Sequence, residues 1–304
     1  MHNPIPVSRI VEYLGNDIIA VYGNSDNYRV TYLRDLPHVD EFTLDWINPS
    51  RPEKQQMAEA SKAKVIVANS EITYSERLQQ QKKVILVVEN PKLAVAKVGN
   101  RFFVKRPQPG IHPSAVVHPE AKLGKNVFVG PNATVGKCTI GDDVMIHANA
   151  VICDGIIIKN NVIIKPGAVL GSGGFGFEHN QNSELIKFPQ VGNLIIEDNV
   201  EIGSNSTIDK GSLSNTIIGN GSKISSQCHI SHNVILGKNV VITANVMISG
   251  STIIEDNVWI APNATLRGHR KIGKESIIGM GSVVTKDVPA GETWIGNPAR
   301  KLNK

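Results

Sequence analysis

A chain of 304 residues has room for one large or two ordinary domains, and its 41% hydrophobic content is that of a globular protein rather than a disordered one. Only 5% of the residues are aromatic while glycine reaches 27, and Ile and Val dominate the apolar set, a composition for many short strands joined by tight turns and not for a helical bundle. The formal charge of +5 comes from scattered Lys and Arg, which argues against a nucleic-acid partner because phosphate-backbone affinity needs clustered cations.

Residues 1–104 read as a small α/β domain. Residues 7–14 have helical apolar spacing, 64–68 and 84–88 are buried-strand runs, and 91–96 suggest a closing helix with Asn90 as its cap. Residues 105–110, with two prolines and a glycine, read as a linker. The first thirty residues contain no basic segment followed by an apolar run, and no stretch reaches the roughly 18 apolar residues of a membrane span. A cytoplasmic protein without stable membrane insertion is expected. Cys138, Cys153 and Cys228 lack CxxC spacing and cannot all pair, so they read as small buried residues.

From Ile111 an aliphatic residue returns every six positions through Val135, then, after a one-residue slip, from Ile140 to Leu170, again from Ile196 to Ile208, and from Ile218 to Val284. Four residues after each stands a small or β-branched partner, such as Val127, Ala133, Val200, Ser206, Val246 and Ala264. Side chains alternate along a strand, so both positions point to one interior while Gly, Asn and Asp fill the corners. The pattern predicts a mainly β chain, a parallel β-helix over 111–293 with coils of about 18 residues stacked at about 4.8 Å. Two breaks mark insertions: a projecting loop at 171–195 and a shorter one between Ile208 and Ile218. Arg270 falls at an inward position, where a charge would be costly, so a distorted coil is expected there. Residues 294–304 form a short tail.

A small α/β domain followed by hexads that contain residues 174–177 (Gly-Phe-Gly-Phe), 187–192 (Lys-Phe-Pro-Gln-Val-Gly), 208–211 (Ile-Asp-Lys-Gly) and 230–234 (Ile-Ser-His-Asn-Val), in that order, closely resembles the UDP-3-O-(3-hydroxyacyl)glucosamine N-acyltransferases of lipid A synthesis. The resemblance spans about residues 7–284. It implies a left-handed β-helix, a homotrimer with active sites between subunits, His232 as catalytic base, Gly250 as the residue whose amide faces the developing oxyanion, and His269 as a contact to substrate phosphates. Three departures stand against it. The family's uracil-stacking aromatics are absent around Asn48, leaving Trp46, Asn48 and Arg51 as candidates for the base. Gly173 replaces an Asp, and no helical C-terminal extension follows residue 284. Instead, Gly279 to Val284 followed by residues 296–300 (Gly-Asn-Pro-Ala-Arg) resembles the ending of coenzyme-A-dependent sugar acetyltransferases, with Arg300 and Lys301 as candidates for coenzyme phosphates.

The chemistry expected is acyl transfer to the amine of a nucleotide-linked amino sugar. His232 stands outward in its hexad, next to Asn233, and an imidazole can take the proton of an attacking amine near neutral pH. Gly250 lies one coil away, so a thioester carbonyl can approach its backbone amide. The donor expected is a short acyl thioester of coenzyme A, most simply acetyl-CoA, with a product in surface polysaccharide or lipopolysaccharide; the alternative is the lipid A reaction with a 3-hydroxyacyl group on acyl carrier protein. No metal cofactor is expected. A zinc carbonic anhydrase on the same fold would need three converging histidines, and His112, His118, His147, His229 and His232 supply no such set by spacing. A non-catalytic β-helix scaffold is the remaining class.

Overall fold

A computed structural model describes residues 3–302, so the last two residues of the tail lie outside the described residues. The chain divides after Arg106 into two compact units.

In the first unit the strands Ile18–Tyr22, Val84–Val88, Val65–Ala68 and Leu44–Trp46 form one sheet in that order, the first pair antiparallel and the rest parallel. Every residue of Val65–Ala68 and Val84–Val88 is buried, as near-continuous apolar runs demand of parallel strands covered on both faces. The helix Val7–Leu14 buries Val7, Ile10 and Leu14 on one side. The helix Pro91–Val98 begins with Asn90, whose side chain accepts from the Leu93 amide at 3.0 Å, and with Pro91 in the first turn, where its missing N–H costs nothing. Lys83, only 3% exposed, donates to the carbonyls of Ala58, Glu59 and Ser61 at 2.8, 3.2 and 2.6 Å and so satisfies the open end of the helix Lys54–Ala60.

The second unit is the left-handed parallel β-helix. Most of its strands are two residues long, and they stack into three sheets of 11, 9 and 8 strands, one for each side of the prism. In the two-residue strands of the prism body the second residue points inward: Ile146, Ile164, Ile202, Ile230, Ile248, Ile260, Leu266, Ile272 and Ile278 are completely buried. Each such side chain contributes about 1.5–3 kcal/mol by leaving water, which is how two-residue strands hold together in sum. Corners require a left-handed backbone, and asparagine tolerates it best among non-glycine residues. Among the described residues, 11 of the 18 non-glycine positions at positive φ are therefore Asn. The thiols behave as packing groups. Burial pushes Cys138 up to about 11 and raises Cys228, and it also raises the half-buried Cys153.

The projecting loop continues the strand Val169–Gly173 into an antiparallel hairpin of Phe177–His179 with Leu185–Lys187. One expectation is corrected. Arg270 does not enter the aliphatic core. Its Nε donates to the Gly268 carbonyl at 3.2 Å, its Nη1 lies 3.6 Å from Asp287, and the strand Lys271–Ile272 keeps its register with Ile253–Ile254. At this end of the prism the guanidinium reaches past the corner to a carboxylate, so no distortion of the coil is needed. The end of the chain packs onto the last coil. Thr293–Ile295 adds to the sheet beside Ile277–Ile278, and Arg300–Lys301 folds back on it antiparallel, burying Trp294 and Ala299.

Among the described residues, no group of three or more His, Cys, Asp or Glu is placed to hold a metal ion, and no helix is long and apolar enough to cross a membrane.

Candidate active site

His232 sits just past the strand His229–Ile230, where the chain turns a corner between two sides of the prism. The sequence suggests an exposed imidazole; the ring is instead half-buried between two glycines. A Cβ placed on Gly250 would lie 2.7 Å from His232 Cε1 and 2.9 Å from Nε2, and one on Gly174 would lie 2.8 Å from Cδ2. Real Cβ atoms do not come that close, so the ring occupies space that only glycine leaves free. Gly250 is absent from the left-handed backbone positions, so close approach rather than turn geometry is the reason for glycine here.

The orientation and tautomer of the imidazole follow from its neighbour. His232 Nδ1 lies 2.9 Å from Asn233 Oδ1. The direction of that amide is itself determined: its oxygen accepts from the Ser212 amide (3.1 Å) and hydroxyl (2.7 Å), while its nitrogen donates to the Ser214 carbonyl (3.1 Å) and hydroxyl (2.7 Å). An amide oxygen only accepts, so Nδ1 carries a proton, and in the neutral ring the lone pair is therefore on Nε2. Asn233 is held in turn at φ 60°, with its own N–H on Thr216 Oγ1 at 2.8 Å. Replacing Asn233 with Ala should leave Nδ1 without its acceptor and let the ring choose the other tautomer. A loss of about tenfold or more in kcat is expected, together with a lower melting temperature because Ala is strained at φ 60° and the Ser212 and Ser214 contacts are lost; an unchanged kcat in the folded variant would show that the tautomer is set elsewhere.

The coils bring other residues to this corner. Ser251 N donates to His232 O, and His269 N donates to Gly250 O, each at 3.0 Å, so His269 stands two rungs along the prism from His232. It is exposed, at φ 58°, in the corner position that elsewhere is usually Asn, and its ring has no partner among the described residues. While the Gly250 carbonyl is engaged by His269, the Gly250 N–H takes no part in the backbone ladder. On the next side of the prism an open, shallow groove of about 330 Å³ is lined by the neighbouring Ile235 and Ile253 together with Glu255, Asp256 and Lys274.

The remaining candidates lie on the last coil of the prism and in the first unit. Arg300 and Lys301 are on the last coil, and both have partners within the chain: Arg300 Nη1 donates to the Ala299 carbonyl at 2.8 Å and Lys301 Nζ pairs with Glu292 at 2.6 Å. Trp46, Asn48 and Arg51 belong to the first unit, at the end of the strand Leu44–Trp46. Trp46 is half-buried against that unit's core, and Asn48 makes the turn that follows, its side chain accepting from the Ser50 amide at 3.1 Å. Arg51 is exposed. Three residues that matter at the site were not singled out from sequence: Gly174, Ser212 and Ser214. All three lie in the two insertions that interrupt the hexads, which is the signal that could have found them.

Comparison with known proteins agrees with this picture along the β-helix. The family described as bacterial transferase hexapeptide (six repeats) matches residues 137–172, 215–250 and 251–286, and the hexapeptide repeat of succinyl-transferase matches 193–231. The chain is 39% identical over 138 residues to the UDP-3-O-acylglucosamine N-acyltransferase of Methylobacterium nodulans, covering 45% of this chain and 39% of the relative. The enzyme of the same name from Polynucleobacter asymbioticus is 32% identical over 211 residues, covering 60% and 59%. The chain thus spans between about two fifths and three fifths of the length of these relatives. Among solved structures, the UDP-N-acetylglucosamine acyltransferase of Bacteroides fragilis superposes with a TM-score of 0.56 at 29% identity, over 64% of this chain and 74% of that one. The Campylobacter jejuni enzyme superposes with a TM-score of 0.58 at 25% identity over the same shares. The chain therefore carries bacterial-transferase hexapeptide repeats along its β-helix, where it is similar in sequence to UDP-3-O-acylglucosamine N-acyltransferases and in fold to UDP-N-acetylglucosamine acyltransferases.

Proposed function

We propose that the chain is an N-acyltransferase that moves an acyl group from a thioester onto the amine of a nucleotide-linked amino sugar. The observation that carries this reading is the free lone pair on His232 Nε2, held there by the fully engaged Asn233 and set against an unspent amide on Gly250. The neutral amine attacks the thioester carbon, Nε2 takes the proton the amine loses, and the carbonyl oxygen, now bearing charge, is met by the Gly250 N–H. A C–N bond forms, the C–S bond breaks, and a thiolate leaves; no covalent enzyme intermediate is required.

For the acceptor, the names of the relatives support a UDP-3-O-acylglucosamine, and with it the lipid A reaction over acetylation of a surface-polysaccharide precursor. In this reading His269, two rungs away and exposed, takes the substrate phosphates, and Trp46, Asn48 and Arg51 of the first unit take the nucleotide. The donor in this reading is a 3-hydroxyacyl group on acyl carrier protein, and the apolar groove between Ile235 and Ile253 suits an alkyl segment of either substrate. Coenzyme A keeps one argument, the folded ending at residues 296–300, but Lys301 is already neutralised by Glu292. The assembly is a homotrimer in the cytoplasm, with sites completed between prisms.

The test offers purified protein two donors, 3-hydroxyacyl carrier protein and acetyl-CoA, with UDP-3-O-acylglucosamine as acceptor, and identifies products by mass. Transfer of the 3-hydroxyacyl group to the sugar amine is the expected result. Exclusive use of acetyl-CoA would overturn the donor assignment, and transfer from neither donor would overturn the reading itself.

A further inference from the structure

Three residues before His232, a second histidine is held by a network that the reaction as described leaves unused. His229 points outward from its strand, flanked in register by Thr207 and Met247. Its Nδ1 lies 2.7 Å from Thr207 Oγ1 and its Nε2 lies 3.1 Å from Ser231 Oγ and 3.6 Å from Asp209 Oδ2. Asp209 is 6% exposed, and its other carboxylate oxygen accepts from Ser172 Oγ at 2.8 Å. Among the described residues, Asp209 is the one acidic group within 4 Å of the His229 ring. A carboxylate taken out of water in this way must be met by donors, and the Ser172 hydroxyl and the His229 ring are the groups facing it. The imidazole stays accessible, its side chain 37% exposed.

We propose that His229, backed by Asp209, is the general acid of the transfer, delivering a proton to the sulfur of the departing thiolate. The inference rests on the acyl-transfer reading above. Met247 stands to Gly250 as His229 stands to His232, three residues before it. A thioester whose carbonyl oxygen is met by the Gly250 amide therefore has the strand face carrying His229 and Met247 along one side. As the C–S bond breaks, its electron pair goes to sulfur, and the sulfur takes the proton from the His229 imidazolium. His232 has meanwhile received the proton of the amine. One proton enters the enzyme and one leaves it in each turnover, so the two imidazoles exchange states and return to their starting forms through solvent. The Asp209 carboxylate faces the ring beside Ser231, and the Thr207 and Ser231 hydroxyls, which both donate and accept, fit either protonation state.

The test compares two donors with the same 3-hydroxyacyl group, an N-acetylcysteamine thioester and an S-phenyl thioester, whose thiophenolate leaves without help because thiophenol is far more acidic than an alkyl thiol. His229→Gln should lower kcat/KM about 30-fold or more on the alkyl thioester and less than about threefold on the phenyl thioester. His232→Ala should lose activity on both. Asp209→Asn, which retains a partner for Ser172, should show the same leaving-group rescue with a smaller loss, and serves if His229→Gln does not fold. Equal losses on the two donors would overturn the general-acid assignment while leaving the acyl-transfer reading in place. A wild-type protein that acylates no amino sugar with either donor would overturn both.

Discussion

Replacing His232 with Ala is expected to lower turnover by about a hundredfold or more while the β-helix stays folded. The two halves of that expectation have separate physical grounds. The imidazole lies outside the aliphatic core, between Gly174 and Gly250, so its removal takes no apolar side chain from the prism and leaves a gap between two glycines at the surface. A stability change within about 1 kcal/mol follows, read by thermal melting. The Asn233 amide keeps its bonds to Ser212 and Ser214, so the corner retains its shape. What is lost is the Nε2 lone pair, and with it the group that accepts the proton of the attacking amine. A variant that turns over at nearly the wild-type rate would remove the base from the mechanism and favour a non-catalytic scaffold.

Gly250→Ala is expected to cost about a hundredfold in kcat as well, for a reason that a sequence alignment of hexads would not suggest. The added methyl would stand 2.7 Å from Cε1 and 2.9 Å from Nε2 of His232, so the ring must leave the place in which Asn233 holds it. The same methyl would obstruct the approach of a carbonyl oxygen to the Gly250 N–H. Gly250 is not in a left-handed conformation, so backbone strain does not enter, and the melting temperature should change little. Because the methyl acts partly through the imidazole, the pair Gly250→Ala with His232→Ala should be far from additive, the double variant losing little beyond the worse single one. Retention of kcat within about twofold in Gly250→Ala would show that neither the close approach nor the amide is used.

The β-helix was legible because its physics repeats. An inward aliphatic residue every six positions, with a small one four further on, can be satisfied only by strands that stack in register, and the structure places Ile230, Ile248 and Leu266 in one such column. The asparagine content carried the same message, since each corner needs a left-handed residue. His232 and Gly250 could be placed side by side from an 18-residue separation alone. Their contact, a ring against a bare backbone, could not, because a repeat specifies which residues stack and says nothing about what fills the space between side chains outside the core.

The limits were of one kind. Arg270 was expected to distort its coil because periodicity assigns each position a direction, but a long side chain near the end of a prism can turn back to Gly268 and Asp287. Lys301 is a candidate for coenzyme phosphates from sequence, and only the fold-back of Arg300–Lys301 shows that its charge is paired with Glu292. Gly174, Ser212 and Ser214 lie in insertions without a repeat, and only tertiary folding brings the first onto the imidazole and the others onto Asn233. The sequence by itself determined the β-helix, its coil length and the corner at which His232 stands, because those follow from burial with a fixed period. The tertiary structure alone decided which nitrogen of His232 is free and what covers its ring, because both depend on contacts between segments that no periodicity connects.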